Sequence, residues 1–294
     1  MEKWGDKPYH SLDYENKKRF GEKVYKISLA GGTTCPNRDG TLGTRGCCFC
    51  SGSGSGDFAA TKGSITEQIE EAIARVSRYK NAGHHFTAYF QSFTATYAPV
   101  ETLRAAWEEA MTHESVVTLA IATRPDCLGD NVLSLLADCC RKMPVTVELG
   151  LQTIHPDTIR YIRRGYPNSV YETAVKNLQN IGVNVVTHVI AGLPGETKEN
   201  FLDTVRYVAD IGSDGIKLQL LHVLKGTDLA LDYENKMFRT LTPDEYLDYI
   251  AEALSILPPD MVIHRVTGDG PKDLLIAPLW SCLLYTSDAA DDLI

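Results

Sequence analysis

Cys35, Cys47 and Cys50 lie in one glycine-rich stretch, Cys35-Pro-Asn-Arg-Asp-Gly-Thr-Leu-Gly-Thr-Arg-Gly-Cys47-Cys48-Phe49-Cys50. The C-x-x-C pair Cys47 and Cys50 can set two thiolates on one metal centre, and a loop containing Gly40, Gly43 and Gly46 can bring Cys35 back as a third. A structural zinc site closes its shell with four nitrogen or sulfur ligands. Three thiolates suit a [4Fe–4S] cluster that leaves one iron open to a non-protein ligand, where an ordinary cluster takes four cysteines. Zinc is the competing reading, although Cys127, Cys139 and Cys140 supply no second C-x-x-C pair. Cys48 breaks the ligand spacing and reads as an apolar filler, and the other three read as core residues.

Regular elements must carry this loop. Apolar, β-branched segments at 24–29, 86–92, 116–122, 145–151, 184–191 and 216–223 read as strands buried on both faces. Amphipathic segments at 64–79, 100–112, 130–142, 169–181 and 198–211 alternate with them. Ser64-Ile-Thr-Glu67 predicts a capping box and Pro99 a helix start. Six βα repeats predict an α/β fold with a parallel sheet and right-handed crossovers, either an open barrel or a doubly wound sheet.

The cysteine loop follows the first strand, and polar residues sit at the ends of later ones, where barrels of this kind carry their active face. Gln91 and Ser92 end strand two, Glu148 to Gln152 close strand four, Gly192-Leu-Pro-Gly195 follows strand five, and Gln219 and His222 lie on strand six. Glu148 places a charge inside an otherwise apolar strand, which demands a partner.

These residues resemble a known family. The C-x11-C-x2-C loop, Glu148-Leu-Gly-Leu-Gln152-Thr153, Arg163-Arg164-Gly165 and His188-Val-Ile-Ala-Gly-Leu-Pro-Gly-Glu196 are similar to radical S-adenosylmethionine (SAM) enzymes. Cys35-Pro-Asn-Arg-Asp-Gly-Thr41, Tyr89-Phe-Gln-Ser92 and Ala277-Pro-Leu-Trp280 resemble the YhcC/YtqA branch, related to the Elongator catalytic subunit. The resemblance implies a partial (β/α)6 TIM-like barrel over residues 24–241, with 1–23 as a lead-in and 242–281 as a short C-terminal extension. It implies that Cys35, Cys47 and Cys50 hold a [4Fe–4S] cluster whose fourth iron takes SAM. One electron, from a donor such as flavodoxin or ferredoxin, then releases a 5′-deoxyadenosyl radical that abstracts hydrogen from substrate. Glu148, Gln152 and Arg164 match contacts to the methionyl and ribose parts of SAM, and Gln91 and Ser92 match the amine-binding strand end. Relatives often carry Asp where His188 stands, so His188 is left out of that set.

The resemblance further implies action on a tRNA wobble uridine. A small-molecule substrate such as a porphyrinogen, or a non-catalytic metal-binding module, are the alternatives. The net charge of −9 does not advertise nucleic-acid binding, so contact with RNA needs a local patch. Lys17, Lys18, Arg19, Lys23 and Lys26, interleaved with Tyr14, Phe20 and Tyr25, form one candidate, and Arg160, Arg163 and Arg164 a second. Eight cysteines without an apolar leader predict a reducing cytoplasm, and no apolar run approaches the roughly 18 residues of a membrane span. Residues 282–294 read as translated sequencing adapter, a non-native tail.

The ligand assignment predicts that Cys35→Ala, Cys47→Ala and Cys50→Ala each abolish the cluster's broad absorbance near about 400 nm. Cys48→Ala keeps it. A Cys35 variant that retains the band while a Cys48 variant loses it reverses the assignment.

Overall fold

The computed structural model describes residues 4–286 apart from Ser55, Asn81 and Asp269. Much of the segment read as a non-native tail, residues 287–294, lies outside them. The elements run α1 (Leu12–Phe20), β1 (Tyr25–Leu29), α2 (Ile65–Tyr79), β2 (Phe86–Phe90), α3 (Val100–Thr112), β3 (Val116–Thr123), α4 (Asp130–Cys140), β4 (Val145–Gln152), α5 (Pro156–Tyr161) and α6 (Asn168–Asn180). They continue with β5 (Asn184–Ala191), α7 (Lys198–Ile211), β6 (Gly215–Leu220), β7 (Val223–Leu224), α8 (Asp228–Glu234), α9 (Pro243–Ile256), β8 (Val262–Arg265) and β9 (Leu275–Ala277). Six strands pair in chain order, β1 to β6, all parallel.

A seventh, β8, pairs parallel to β6. The sheet is therefore wider than the six expected strands, and the extra one comes from the segment taken as an extension. Its helix α9 starts with a complete capping box at Thr242 and Glu245 and packs on α7, so the last βα pair continues the barrel. The expected sixth strand is shorter than 216–223: after Leu220 the chain turns, and β7 pairs antiparallel with β9 in a separate ribbon.

The sheet is strongly curled. Neighbouring strands stand about 4.8 Å apart, so β1 and β4 would lie roughly 14 Å apart in a flat sheet. Yet Lys26 on β1 and Lys217 on β6 both reach Glu148 on β4 at 2.5 Å. Only a concave sheet brings three such strands to one carboxylate.

Side-chain alternation divides the strands between two environments. On β4 to β6, Val145, Val147, Leu149, Val185, Val189, Ile216 and Leu218 pack outward against the helices in one continuous apolar core. Glu148, His188, Lys217 and Gln219 instead line the interior. The strands are largely buried on both faces, as expected, but the inner face mixes apolar Val186 and Ile190 with these polar side chains. A second apolar cluster joins Cys48 to Ile162, Ile190, Leu193, Leu221, Val223 and Leu229 at the barrel mouth.

The N-terminal lead-in is helical. Ser11 caps α1 by accepting from the Tyr14 N–H, and Gly21 ends it at φ 78°. Ile263 N–H donates to the His10 carbonyl at 2.7 Å, which fastens the start of α1 to the free edge of β8. No helix among the described residues is long and apolar enough to cross a membrane.

Ser64 and Glu67 form the reciprocal capping box read from sequence. Ser64→Ala removes one N-cap acceptor and is expected to cost about 1 kcal/mol in thermal or denaturant unfolding. A variant of unchanged stability would show that this cap is redundant.

Candidate active site

The interior of the barrel opens into a cavity of about 750 Å³ whose wall includes Cys35, Cys47, Cys50, Gln91, Glu148, Gln152, His188, Lys217 and Gln219. Its size is ordinary for a site holding a cofactor and a substrate group.

The cysteine loop sits over the C-terminal ends of the strands and is shaped by its own backbone. Arg38 and Asp39 N–H groups donate to the Cys35 carbonyl, Leu42 to Pro36, Gly46 to Asn37, and Cys50 to Cys47. Gly40 and Gly46 take φ of 95° and 74°, which only glycine adopts without strain. The Arg38 guanidinium donates to the carbonyls of Cys50, Ser51 and Gly52, and Arg163 Nε donates to the Gly46 carbonyl at 2.8 Å.

The three ligand candidates are half-buried free thiols, whereas Cys48 is buried in the second cluster, where burial pushes its thiol up to about 12. Cys47 behaves oppositely. A hydrogen bond from Cys50, with Arg124, Asn37 and Arg163 helping against burial, lowers its thiol to about 6, and Cys50 is held well above the usual thiol range. Among the described residues, no group of three His, Cys, Asp or Glu side chains is gathered to hold one metal ion. Three thiols on one cavity wall, with Cys47 lowered toward its thiolate, offer the three cysteine ligands of a cluster that leaves one iron open.

Gln152 lies beside this loop at φ 67°, and its Oε1 is buried without a hydrogen-bond partner among the described residues. A buried, strained, unpaired acceptor in a cavity wall is what a bound polar group would satisfy. Gln91 also lines the cavity. Ser92, which lies past the end of β2, does not: its hydroxyl faces Gly56, where an added Cβ would lie 2.3 Å from it.

Arg164 borders the cavity but directs its donors into the protein. Its five N–H donors are directed at the carbonyls of Leu151, Thr153 and Tyr166 and the side chain of Asn168. It clamps the end of β4 and the loop after it, whose shape sets Gln152, while itself bordering the cavity.

Glu148 is fully buried. Oε1 accepts from Lys26, and Oε2 from Lys217 at 2.5 Å, the Tyr89 hydroxyl at 2.6 Å and His188 Nε2 at 2.8 Å. Four donors occupy the roughly four lone-pair sites of a carboxylate. Burial alone raises the Glu148 carboxyl, but Lys217, Lys26 and His188 outweigh it and hold it well below the usual range. Burial lowers Lys217 to about 7, with Glu148 opposing and Lys26 adding to the fall.

Lys17, Lys18 and Arg19 stay exposed at the end of α1, while other members of the two basic patches are paired or turned inward. Lys26 is inside the barrel, Lys17 pairs with Asp13 at 2.7 Å, and Lys23 lies over the Tyr25 ring. Arg160 pairs with Asp157, Arg163 with Asp228 and Gly46, and Arg164 is buried. Sequence reasoning missed Lys26 and Lys217 as partners of Glu148. The lone charge on β4 signalled that partners existed, but nothing local named them.

The profile of the Radical SAM superfamily matches residues 21–208. The chain belongs to the radical SAM superfamily. The Radical_SAM C-terminal domain matches residues 213–286, which include β8. Bacillus subtilis YtqA is 43% identical over 282 residues, covering 94% of this chain and 86% of that protein. Escherichia coli K12 YhcC is 38% identical over 264 residues, covering 90% and 84%. These place the chain in the YhcC/YtqA family. In fold it is similar to Methanocaldococcus infernus Elp3, with a TM-score of 0.66 and 19% identity over 90% of this chain and 62% of that one. The chain is an enzyme whose cofactors are those of its superfamily, a [4Fe–4S] cluster and SAM.

Glu148→Gln would leave two buried ammonium groups without their anion, a loss of about 3–5 kcal/mol. Because the folded pKa of Lys217 lies below its unfolded value, the unfolded chain holds the extra proton between about pH 7 and 10.5, and this group's contribution to stability rises with pH across that window. The variant's deficit is therefore expected to be larger near about pH 6 than near about pH 9, where Lys217 sheds its charge. Denaturant unfolding at both pH values checks it, and a deficit independent of pH would remove Lys217 from the account.

Proposed function

We propose that this radical SAM enzyme acts on tRNA, at the modified side chain of a wobble uridine. The observation that carries the reading is likeness to Elongator complex protein 3. The Schizosaccharomyces pombe protein is 25% identical over 270 residues, 78% of this chain and 49% of that one.

When bound, the cluster and SAM supply one-electron chemistry that yields a hydrogen-abstracting radical. The chain's own residues do the rest. Cys35, Cys47 and Cys50 anchor the cluster, Gln152 and Gln91 offer polar contacts to SAM, and Arg164 braces Gln152. The Glu148 network keeps the interior charged and ordered while the curled sheet excludes bulk water. Flavodoxin or ferredoxin would deliver the electron.

At the cavity wall Phe58 is 43% exposed, and its carbonyl accepts from Arg75 at 2.9 Å. An exposed ring held at an opening supports the reading, because unpaired bases stack on such faces. After anaerobic reconstitution, dithionite-dependent release of 5′-deoxyadenosine is expected to rise when tRNA from a strain lacking this gene is added. The wobble nucleoside should change mass in the same reaction. Phe58→Ala is expected to weaken tRNA binding by about 1–3 kcal/mol. Cofactor cleavage indifferent to tRNA, with no nucleoside changed, would remove the tRNA substrate and leave the superfamily chemistry.

A further inference from the structure

A chain of hydrogen bonds inside the barrel fixes the direction of one carboxamide. Glu148, held ionised by two lysines, can only accept. His188 Nε2, 2.8 Å from Glu148 Oε2, must therefore carry the proton. Burial lowers the His188 pKa despite that carboxylate, so the ring is neutral and Nδ1 is left as a bare acceptor. Gln219 stands 3.3 Å from Nδ1 and must present its NH2 there. The opposite amide orientation would set two lone pairs against each other.

It follows that Gln219 Oε1 points away from His188. Gln219 lines the cavity, and Oε1 has no hydrogen-bond partner among the described residues. It is not among the buried unpaired atoms either, so it faces the open interior. Two residues earlier on the same face of β6, the Lys217 ammonium gives hydrogen bonds to Glu148 and Tyr89 and keeps a third N–H. The interior thus offers an acceptor of fixed direction with a donor beside it.

We propose that Gln219 is a specificity-determining residue for the substrate, its Oε1 accepting from the N3–H of a uracil ring while Lys217 donates to an adjacent ring carbonyl. The inference rests on the tRNA reading. An imide edge carries N–H flanked by C=O and matches this pair. Cytosine sets a bare ring nitrogen at the same place, which would meet Oε1 lone pair to lone pair. A site built to hydrogen-bond a substrate N–H rejects analogues lacking it, because its own polar group is then left unpaired.

The test measures binding of anticodon stem-loop RNAs that differ only at the wobble base, using the full chain with cluster and SAM under anaerobic conditions. Uridine is expected to bind at least about tenfold tighter than N3-methyluridine or cytidine, the usual cost of one unmade buried hydrogen bond. Gln219→Leu should compress both ratios to within about twofold, and Gln219→Glu, which keeps an acceptor oxygen, should restore discrimination against N3-methyluridine. Cluster absorbance and thermal unfolding verify that each variant is folded, and the comparison of RNAs on the unaltered chain needs no variant.

Equal affinity of the unaltered chain for uridine and N3-methyluridine overturns the proposal. So does discrimination that survives in Gln219→Leu; if that variant instead weakens SAM binding, the acceptor belongs to the cofactor. If no stem-loop binds and tRNA leaves cofactor cleavage unchanged, the tRNA reading fails and takes the proposal with it. Those results are distinct from binding without discrimination.

Discussion

The interior of this barrel is organised around the buried carboxylate of Glu148. Removing a carboxylate from water is costly, and the cost is met only when its acceptor sites are filled. Here they are filled by side chains from β1, β2, β5 and β6, namely Lys26, Tyr89, His188 and Lys217. Four strands must therefore converge on β4, which specifies the curl of the sheet more sharply than apolar packing on its outer face. A replacement interior of apolar side chains could be equally stable, since buried ion pairs add little net free energy. What the charged interior adds is direction: it sets the His188 tautomer, and through it the orientation of Gln219.

The cysteine loop depends on different physics. It is short of regular structure, so its backbone groups are satisfied by turns, by Arg38 and by Arg163. Cys48, between two ligand candidates, faces inward and ties the loop to Ile162 and Leu229. Positive charge from Arg124 and Arg163 falls on Cys47, which favours its thiolate before any metal arrives. Arg164 does parallel work below the loop, holding the end of β4 so that Gln152 keeps a left-handed backbone and a buried, unanswered acceptor.

Much of the fold was legible because its signals are local. Apolar, β-branched runs located the first six strands and amphipathic segments their helices, and Ser64 to Glu67 marked a helix start that the structure reproduces. The extension was harder to read. Its strand, Val262–Arg265, has only four residues, too few for alternation to stand out, and α9 joins the barrel through its packing on α7. Single members of the basic runs, Lys26 and Arg164, went unread as interior residues for a related reason. Charge is visible in sequence, but exposure is not, and Lys26 sits one residue from Tyr25 yet points into the barrel.

Residue types and short spacings by themselves determined the chemistry of this protein: three thiols in a glycine-rich loop after a strand, and a lone carboxylate in an apolar segment that required partners. Tertiary structure alone decided who those partners are. Lys26 lies 122 residues from Glu148 along the chain and Lys217 69 residues away, and no periodicity relates positions so distant. Hydrogen bonds to a buried anion are short-ranged and directional, so their donors are chosen by how far the sheet curls, a property of seven strands together and of none singly.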